Sequence, residues 1–124
     1  MKLGLLIIFV PDLALAKHFY GTILGLHVKQ QLENCVIFEV DGIELIAFKC
    51  RNHANDYEYA SKAQSAIVFR VESLETTMKS LKDQAVKFIH NEPVQNFLGK
   101  YVAFVDPFGI THELLEREAN PPLK

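Results

Sequence analysis

Apolar residues recur along this chain in a fixed order: a short apolar run, a stripe at helical spacing, then more short runs. Leu3 to Val10 is the first run. It is rich in Leu and Ile and too short for a typical helix, so it predicts a strand buried on both faces. Pro11-Asp12 breaks it, and Asp12 is a candidate N-cap because its carboxylate accepts from first-turn N–H groups. Leu13, Ala16, Tyr20, Ile23 and Leu24 then make one apolar helical stripe, which Gly21 or Gly25 can end. Three strands are predicted next, at His27–Gln31, Cys35–Val40 and Ile43–Phe48. Asp41-Gly42 between the last two is a two-residue hairpin signal, since a type I′ turn needs positive φ at both positions.

Residues 49–64 are polar and lack a clean period, so they read as a linker with a short helical turn. The pattern then repeats. Ala66–Val71 is a predicted strand, and Ser73 a candidate N-cap for a helix with Leu74, Met78, Leu81 and Ala85 as its stripe. Val86–His90, Tyr101–Val105 and Ile110–Glu116 are predicted strands, the last two separated by Asp106-Pro107-Phe108-Gly109. Residues 119–124 read as a loose end. The chain therefore reads as two copies of one β-α-β-β-β unit. Phe9-Val10-Pro11-Asp12-Leu13 opens the first helix and Arg70-Val71-Glu72-Ser73-Leu74 the second. Both copies close with a Gly-containing turn and a strand carrying Glu-Leu. The expectation is one α+β domain over residues 1–124, with a first module at about 1–49, a linker at about 50–64 and a second module at about 65–118.

Composition narrows the function classes. A chain of 124 residues is long enough to bury roughly two-thirds of its unfolded surface, so it needs no disulfide or metal to fold. The formal net charge of −2, with no long run of one sign, argues against nucleic-acid binding and against a polybasic membrane anchor. The N-terminal apolar run meets Pro11-Asp12 without a small-residue cleavage site, and no stretch approaches a membrane span. Cys35 and Cys50 lack CxxC spacing, which suits a reducing compartment, with the cytoplasm as the default. No Ser-His-Asp order, P-loop, HExxH helix or dinucleotide fingerprint is present.

Three stretches carry a family resemblance. They are Val10-Pro11-Asp12-Leu13 with Phe19-Tyr20 and Leu24-Gly25-Leu26, then Asp106-Pro107-Phe108-Gly109 with Glu113-Leu114, and Gly99-Lys100. Together with the repeat they resemble the vicinal-oxygen-chelate superfamily, which includes glyoxalase I, bleomycin-resistance proteins, fosfomycin-resistance enzymes and extradiol dioxygenases. The resemblance covers residues 3 to about 116. It implies paired modules whose mixed sheets curl around a cleft, and a homodimer, since C2 pairing is the commonest assembly. In metal-dependent members the first strand of each module supplies a His or similar ligand and the last strand a Glu. Counting back from Val10 and Val71 places the first-strand positions at Leu5 and Ala66, neither of which binds metal. The last-strand positions fall, by the letters, on Glu44 and Glu113.

Strand alternation groups Leu5, Ile7 and Phe9 on one face, and Glu44 with Ile46 and Phe48 on another. It likewise groups Ala66, Val68 and Arg70; Tyr101, Ala103 and Val105; and Glu113 with Thr111 and Leu115. If the sheets close as the resemblance implies, the candidate site is apolar, with Glu44, Glu113, Arg70, Tyr101 and Thr111 as its polar groups. Two glutamates without histidine suit neither zinc nor an iron oxygenase, so no metal or other cofactor is expected. A hydrated divalent ion such as magnesium on one or two carboxylates is the alternative. Three functions follow: a metal-independent protein sequestering a cationic or aromatic compound, a lyase or isomerase with Glu44 or Glu113 as base, and a divergent metalloenzyme recruiting His53 or His90. Among other candidates, His18 is expected in solvent, and His112 on the face opposite Glu113. Arg70 is a candidate for holding a carboxylate or phosphate. Tyr57 and Tyr59 are candidate lid residues.

Overall fold

The computed structural model describes residue 3, residues 5–50 and residues 65–118. The architecture is α+β, and the chain divides into two compact units, Met1–Ala54 and Asn55–Lys124. The linker 51–64, with His53, Tyr57 and Tyr59, and the tail 119–124 lie outside the described residues.

The first unit comprises β1 (Leu6–Val10), α1 (Leu13–Ala16) continuing into a π-helical segment (Lys17–Ile23), β2 (His27–Gln31), β3 (Cys35–Val40) and β4 (Ile43–Lys49). The sheet order is β1-β4-β3-β2, with β1 parallel to β4 and the other pairs antiparallel. Asp12 caps the helix, its carboxylate accepting from the Leu15 N–H at 3.0 Å. Asp41 and Gly42 both take positive φ, 51° and 81°, as the two-residue hairpin requires.

The helix departs from the regular stripe predicted for it. Its last turns are wide: the Leu24 N–H donates to the Phe19 carbonyl at 2.9 Å, and the Leu26 N–H to that of Tyr20 at 2.9 Å. Two consecutive aromatic residues of this segment, Phe19 and Tyr20, are buried. Gly21 lies inside this segment, where an added Cβ would sit 3.1 Å from Val28 Cγ2. Gly25, at φ 77°, makes the turn into β2. The buried face of the sheet carries Ile8, Val10, Val36, Phe38, Leu45 and Ala47, and α1 packs on β3 and β4.

The second unit comprises β5 (Val68–Arg70), α2 (Leu74–Asp83), β6 (Lys87–Phe88), β7 (Val94–Asn96), β8 (Gly99–Val105) and β9 (Thr111–Arg117). Its sheet runs β5-β9-β8-β6, with β7 also on β8, and β5 is parallel to β9. Ser73 caps α2 by accepting from the Thr76 N–H at 3.3 Å. Glu116 of β9 takes the next orphan donor, the Leu74 N–H, at 2.8 Å. The sequence pattern missed β7, whose three residues include only one apolar side chain. Asn96 Oδ1 turns the chain into β8 by accepting from the N–H groups of Leu98 at 2.9 Å and Gly99 at 3.3 Å. The Asp106 carboxylate is buried and organises the β8–β9 loop, accepting from Phe108 N–H at 2.9 Å and Ile110 N–H at 2.8 Å. Leu74, Met78 and Leu81 of α2, with Val102, Phe104, His112 and Leu114 of the sheet, are buried.

Two positions in this unit yield tests. Gly99 holds φ 141°, and an added Cβ would collide with the Glu116 carbonyl oxygen and stand 2.8 Å from Glu118 N. Gly99→Ala should therefore cost about 2 kcal/mol or more, read as a lower urea midpoint. His112 is fully buried, its ring 5.7 Å from that of Phe69 and 5.5 Å from that of Phe104. Burial pushes its imidazole down from 6.5 to about 4. As pH falls through 6.5 the unfolded chain takes up a proton that the folded chain refuses until about 4. The stability from this group is whole above the upper value and is lost between the two, about 3 kcal/mol in all. His112→Phe should lose correspondingly less stability between about pH 7 and about pH 4.5 in urea titrations; equal losses in the two proteins would contradict this account.

Candidate functional site

Each sheet has one face under its helix and a second face on which the candidate residues sit. In the first unit the ladder places Ile7 opposite Ile46 and Phe9 opposite Phe48. Continued by one residue, it sets Leu5 beside Glu44. Ile37 lies across from Ile46, Cys35 from Phe48 and Glu39 from Glu44, so these residues share the face. Burial separates its two sides. Leu5, Ile7 and Phe9 are 40%, 45% and 60% exposed, whereas Ile8 and Val10 are 7% and 0%. The exposure is greatest on the edge strand; Ile46, one strand in, is buried and Phe48 half-buried.

In the second unit Val68 lies opposite Glu113 and Arg70 opposite Leu115. Across the other edge of β9, Tyr101 faces Leu115, Ala103 faces Glu113 and Val105 faces Thr111. Val68, Arg70, Tyr101, Ala103, Thr111 and Glu113 therefore lie on one face. Ala66 precedes β5 and is exposed. Val68 is exposed, Leu115 and Ala103 are buried, and Tyr101, Thr111 and Glu113 are half-buried.

The ladders correct the equivalence drawn from the letters. Phe9 and Arg70 hold matching places in the two first strands, and so do Ile7 and Val68. Their partners are Phe48 and Leu115, then Ile46 and Glu113. The residue matching Glu113 is thus Ile46, and Glu44 matches Thr111. The cause is that the two Glu-Leu dipeptides match only as letters: Glu44 lies two residues past Gly42, whereas Glu113 lies four past Gly109, and the ladders place those two glycines in equivalent positions. Each glutamate therefore has a non-acidic counterpart in the other unit, Ile46 for Glu113 and Thr111 for Glu44, and the first-strand positions Leu5 and Ala66 are apolar.

Glu44 is also engaged. Lys29 Nζ donates to Glu44 Oε2 at 2.6 Å. That hydrogen bond and the carboxylate charge, with Glu39 adding a smaller share, hold the Lys29 ammonium above its ordinary 10.5. Sequence reasoning did not find Lys29. A β-bulge creates the contact: the register shifts between Val28 and Gln30, leaving Lys29 as the extra residue. His27-Val28-Lys29-Gln30-Gln31 contains no signal for it.

His90 is brought to the second sheet in an unexpected role. β6 and β7 leave a gap along β8, and the Ala103 N–H donates into it, to His90 Nδ1 at 3.1 Å. The ring stands perpendicular to Tyr101, 5.7 Å between centroids. An accepting Nδ1 assigns the proton of the neutral ring to Nε2. His18 is exposed, and His112 lies on the helix side of the sheet, away from Glu113.

The donor set does not fit the metal of the family's metalloenzymes. Leu5 and Ala66 stand where the resemblance puts imidazoles, and zinc and iron sites of this kind depend on them. Among the described residues, no group of three or more His, Cys, Asp or Glu side chains is placed to hold an ion. Nor is any helix among them long and apolar enough to cross a membrane.

Comparison with known proteins agrees with this geometry. A sequence model of the glyoxalase/bleomycin resistance protein/dioxygenase superfamily matches residues 2–114. No curated protein matches the chain significantly. Among solved structures, the genomically encoded fosfomycin resistance protein FosX from Listeria monocytogenes has a TM-score of 0.77 at 17% identity, covering 99% of this chain and 98% of its own. The glyoxalase family protein from Enterococcus faecalis has a TM-score of 0.75 at 21% identity, covering 93% and 97%. A lactoylglutathione lyase from Agrobacterium tumefaciens has a TM-score of 0.68 at 20% identity, covering 93% and 92%. At these identities the likeness to solved structures shows the fold alone. The match of the family model over nearly the whole chain, on the repeated β-α-β-β-β architecture, shows that the chain belongs to the glyoxalase/bleomycin resistance protein/dioxygenase superfamily.

Proposed function

We propose that this chain is a metal-independent small-molecule-binding protein of the bleomycin-resistance type, which sequesters or carries a small, partly aromatic compound on the helix-free faces of its sheets. One observation carries the reading. On β1 the side chains alternate between buried under the helix and widely exposed, and the exposed set, Leu5, Ile7 and Phe9, is wholly apolar. A soluble protein that leaves such a row uncovered usually covers it with something else, and large apolar side chains with few polar neighbours are what small-molecule sites are made of. The family includes metal-free binders, and the loss of imidazole at Leu5 and Ala66 favours that branch over the metalloenzymes. The cationic ligand expected from two acids is less well supported, because Lys29 already balances Glu44. Pairing into a homodimer and residence in the cytoplasm belong to the same reading.

A second reading rests on Glu113. Its cross-strand neighbours are Val68 and Ala103. A carboxylate with apolar side chains on both flanking strands is a candidate base for a lyase or isomerase step.

A thermal-shift screen with cationic, neutral and anionic naphthalene derivatives tests the first reading. At least one should raise the melting temperature, and Phe9→Ser should weaken its binding about tenfold, as expected for losing one aromatic contact. If no compound of any charge stabilises the protein, the reading fails. Glu44→Gln should leave the melting temperature nearly unchanged, because the pair it breaks is half-exposed, and should leave binding of neutral compounds within about twofold. For the second reading, turnover of any substrate found should collapse in Glu113→Gln while binding persists. Sedimentation equilibrium at twice the chain mass checks the dimer.

A further inference from the structure

Arg70, Leu115 and Tyr101 stand on one rung of the second sheet, on adjacent strands β5, β9 and β8. All three point to the helix-free face. Two strand spacings separate Arg70 from Tyr101 at the backbone, about 10 Å. Leu115 between them is buried, so it forms a floor, with a guanidinium on one side and a phenol on the other. Arg70 is exposed and makes no ion pair among the described residues. His90 stands edge-on to Tyr101, and its hydrogen bond from Ala103 makes Nε2 its donor nitrogen. The rung therefore gathers donors around an apolar centre.

The corresponding rung of the first sheet is different. There the matching residues are Phe9, Phe48 and Cys35, which offer apolar surface and no charge. The same place in the repeat thus carries an arginine and a tyrosine in one unit only, so the fold itself does not require them.

We infer that the Arg70–Leu115–Tyr101 rung binds the carboxylate of a small aromatic acid, with the guanidinium as a two-pronged donor, the Tyr101 hydroxyl as a second donor and the arene resting on Leu115 and Val68. This deepens the proposed binding function, rests on it, and replaces a cationic ligand with an anionic one. Guanidinium is matched to carboxylate because its planar fork gives two parallel charge-assisted hydrogen bonds. The single acid on the neighbouring rung, Glu113, favours an anion of one charge over a dianion.

Calorimetric titration with 1-naphthoate and its neutral counterpart 1-naphthamide tests the inference. Naphthoate should bind the wild type about tenfold or more tightly than naphthamide. Arg70→Met should remove that preference, leaving naphthamide affinity within about twofold, and Arg70→Lys should restore only part of it. Tyr101→Phe should weaken naphthoate severalfold. Arg70 is at the surface, and a melting curve confirms that each variant is folded. If Arg70→Met binds naphthoate as the wild type does, or if naphthamide binds the wild type as tightly as naphthoate, this inference is overturned while the small-molecule reading stands. If neither compound binds but other aromatics do, the inference alone falls. If no aromatic of any charge binds, both fall together.

Discussion

Parallel hydrogen bonding between β1 and β4, and between β5 and β9, ties the first strand of each unit to its last. The helix that must cross between parallel neighbours lies on one side of the sheet, so one face is sealed under apolar side chains and the other is left to different chemistry. Because strand residues alternate, the same bonds decide the face of every side chain from Leu5 to Val10 and from Val68 to Arg70. A slip of one residue in the β1–β4 ladder would put Ile8 and Val10 outside and Phe9 under the helix. The core, the exposed apolar row and the position of Glu113 are therefore consequences of one constraint.

Most of this frame was readable in the letters because it depends on period and punctuation. β2 and β3 have the bounds that alternation predicts, Asp41-Gly42 makes the expected hairpin, and Asp12 and Ser73 cap the two helices. What the letters hid depends on contacts between distant residues. β7 follows from the template that β8 offers to a mostly polar segment, and the Lys29 bulge from pairing with β3. The equivalence of Glu44 with Glu113 failed for a related reason. Both last strands carry Glu-Leu, but the dipeptides stand two and four residues past their glycines, and rungs are fixed by the strands.

That correction changes the chemistry of the first unit. With Ile46 in register with Glu113 and Glu44 paired to Lys29, its helix-free face is apolar in the middle and carries its charges, Glu44, Glu39 and Lys29, at one end. An ion pair that is half-exposed adds little stability. The second unit keeps Glu113 and adds Arg70, so its polar groups are of both signs.

Duplication supplies two copies of each rung, and only the demands of folding are shared by both. Where the copies agree, as in the buried faces and the capped helices, the fold is sufficient explanation. Where they disagree, the same place in the ladder is filled by a different residue. Phe9 and Arg70 are such a pair, as are Cys35 and Tyr101. A phenylalanine or an arginine serves equally at the edge of the sheet, but only the arginine costs side-chain entropy when it is ordered and repays it when an anion is present. The divergence between matching rungs is thus the feature on which the proposed carboxylate site rests.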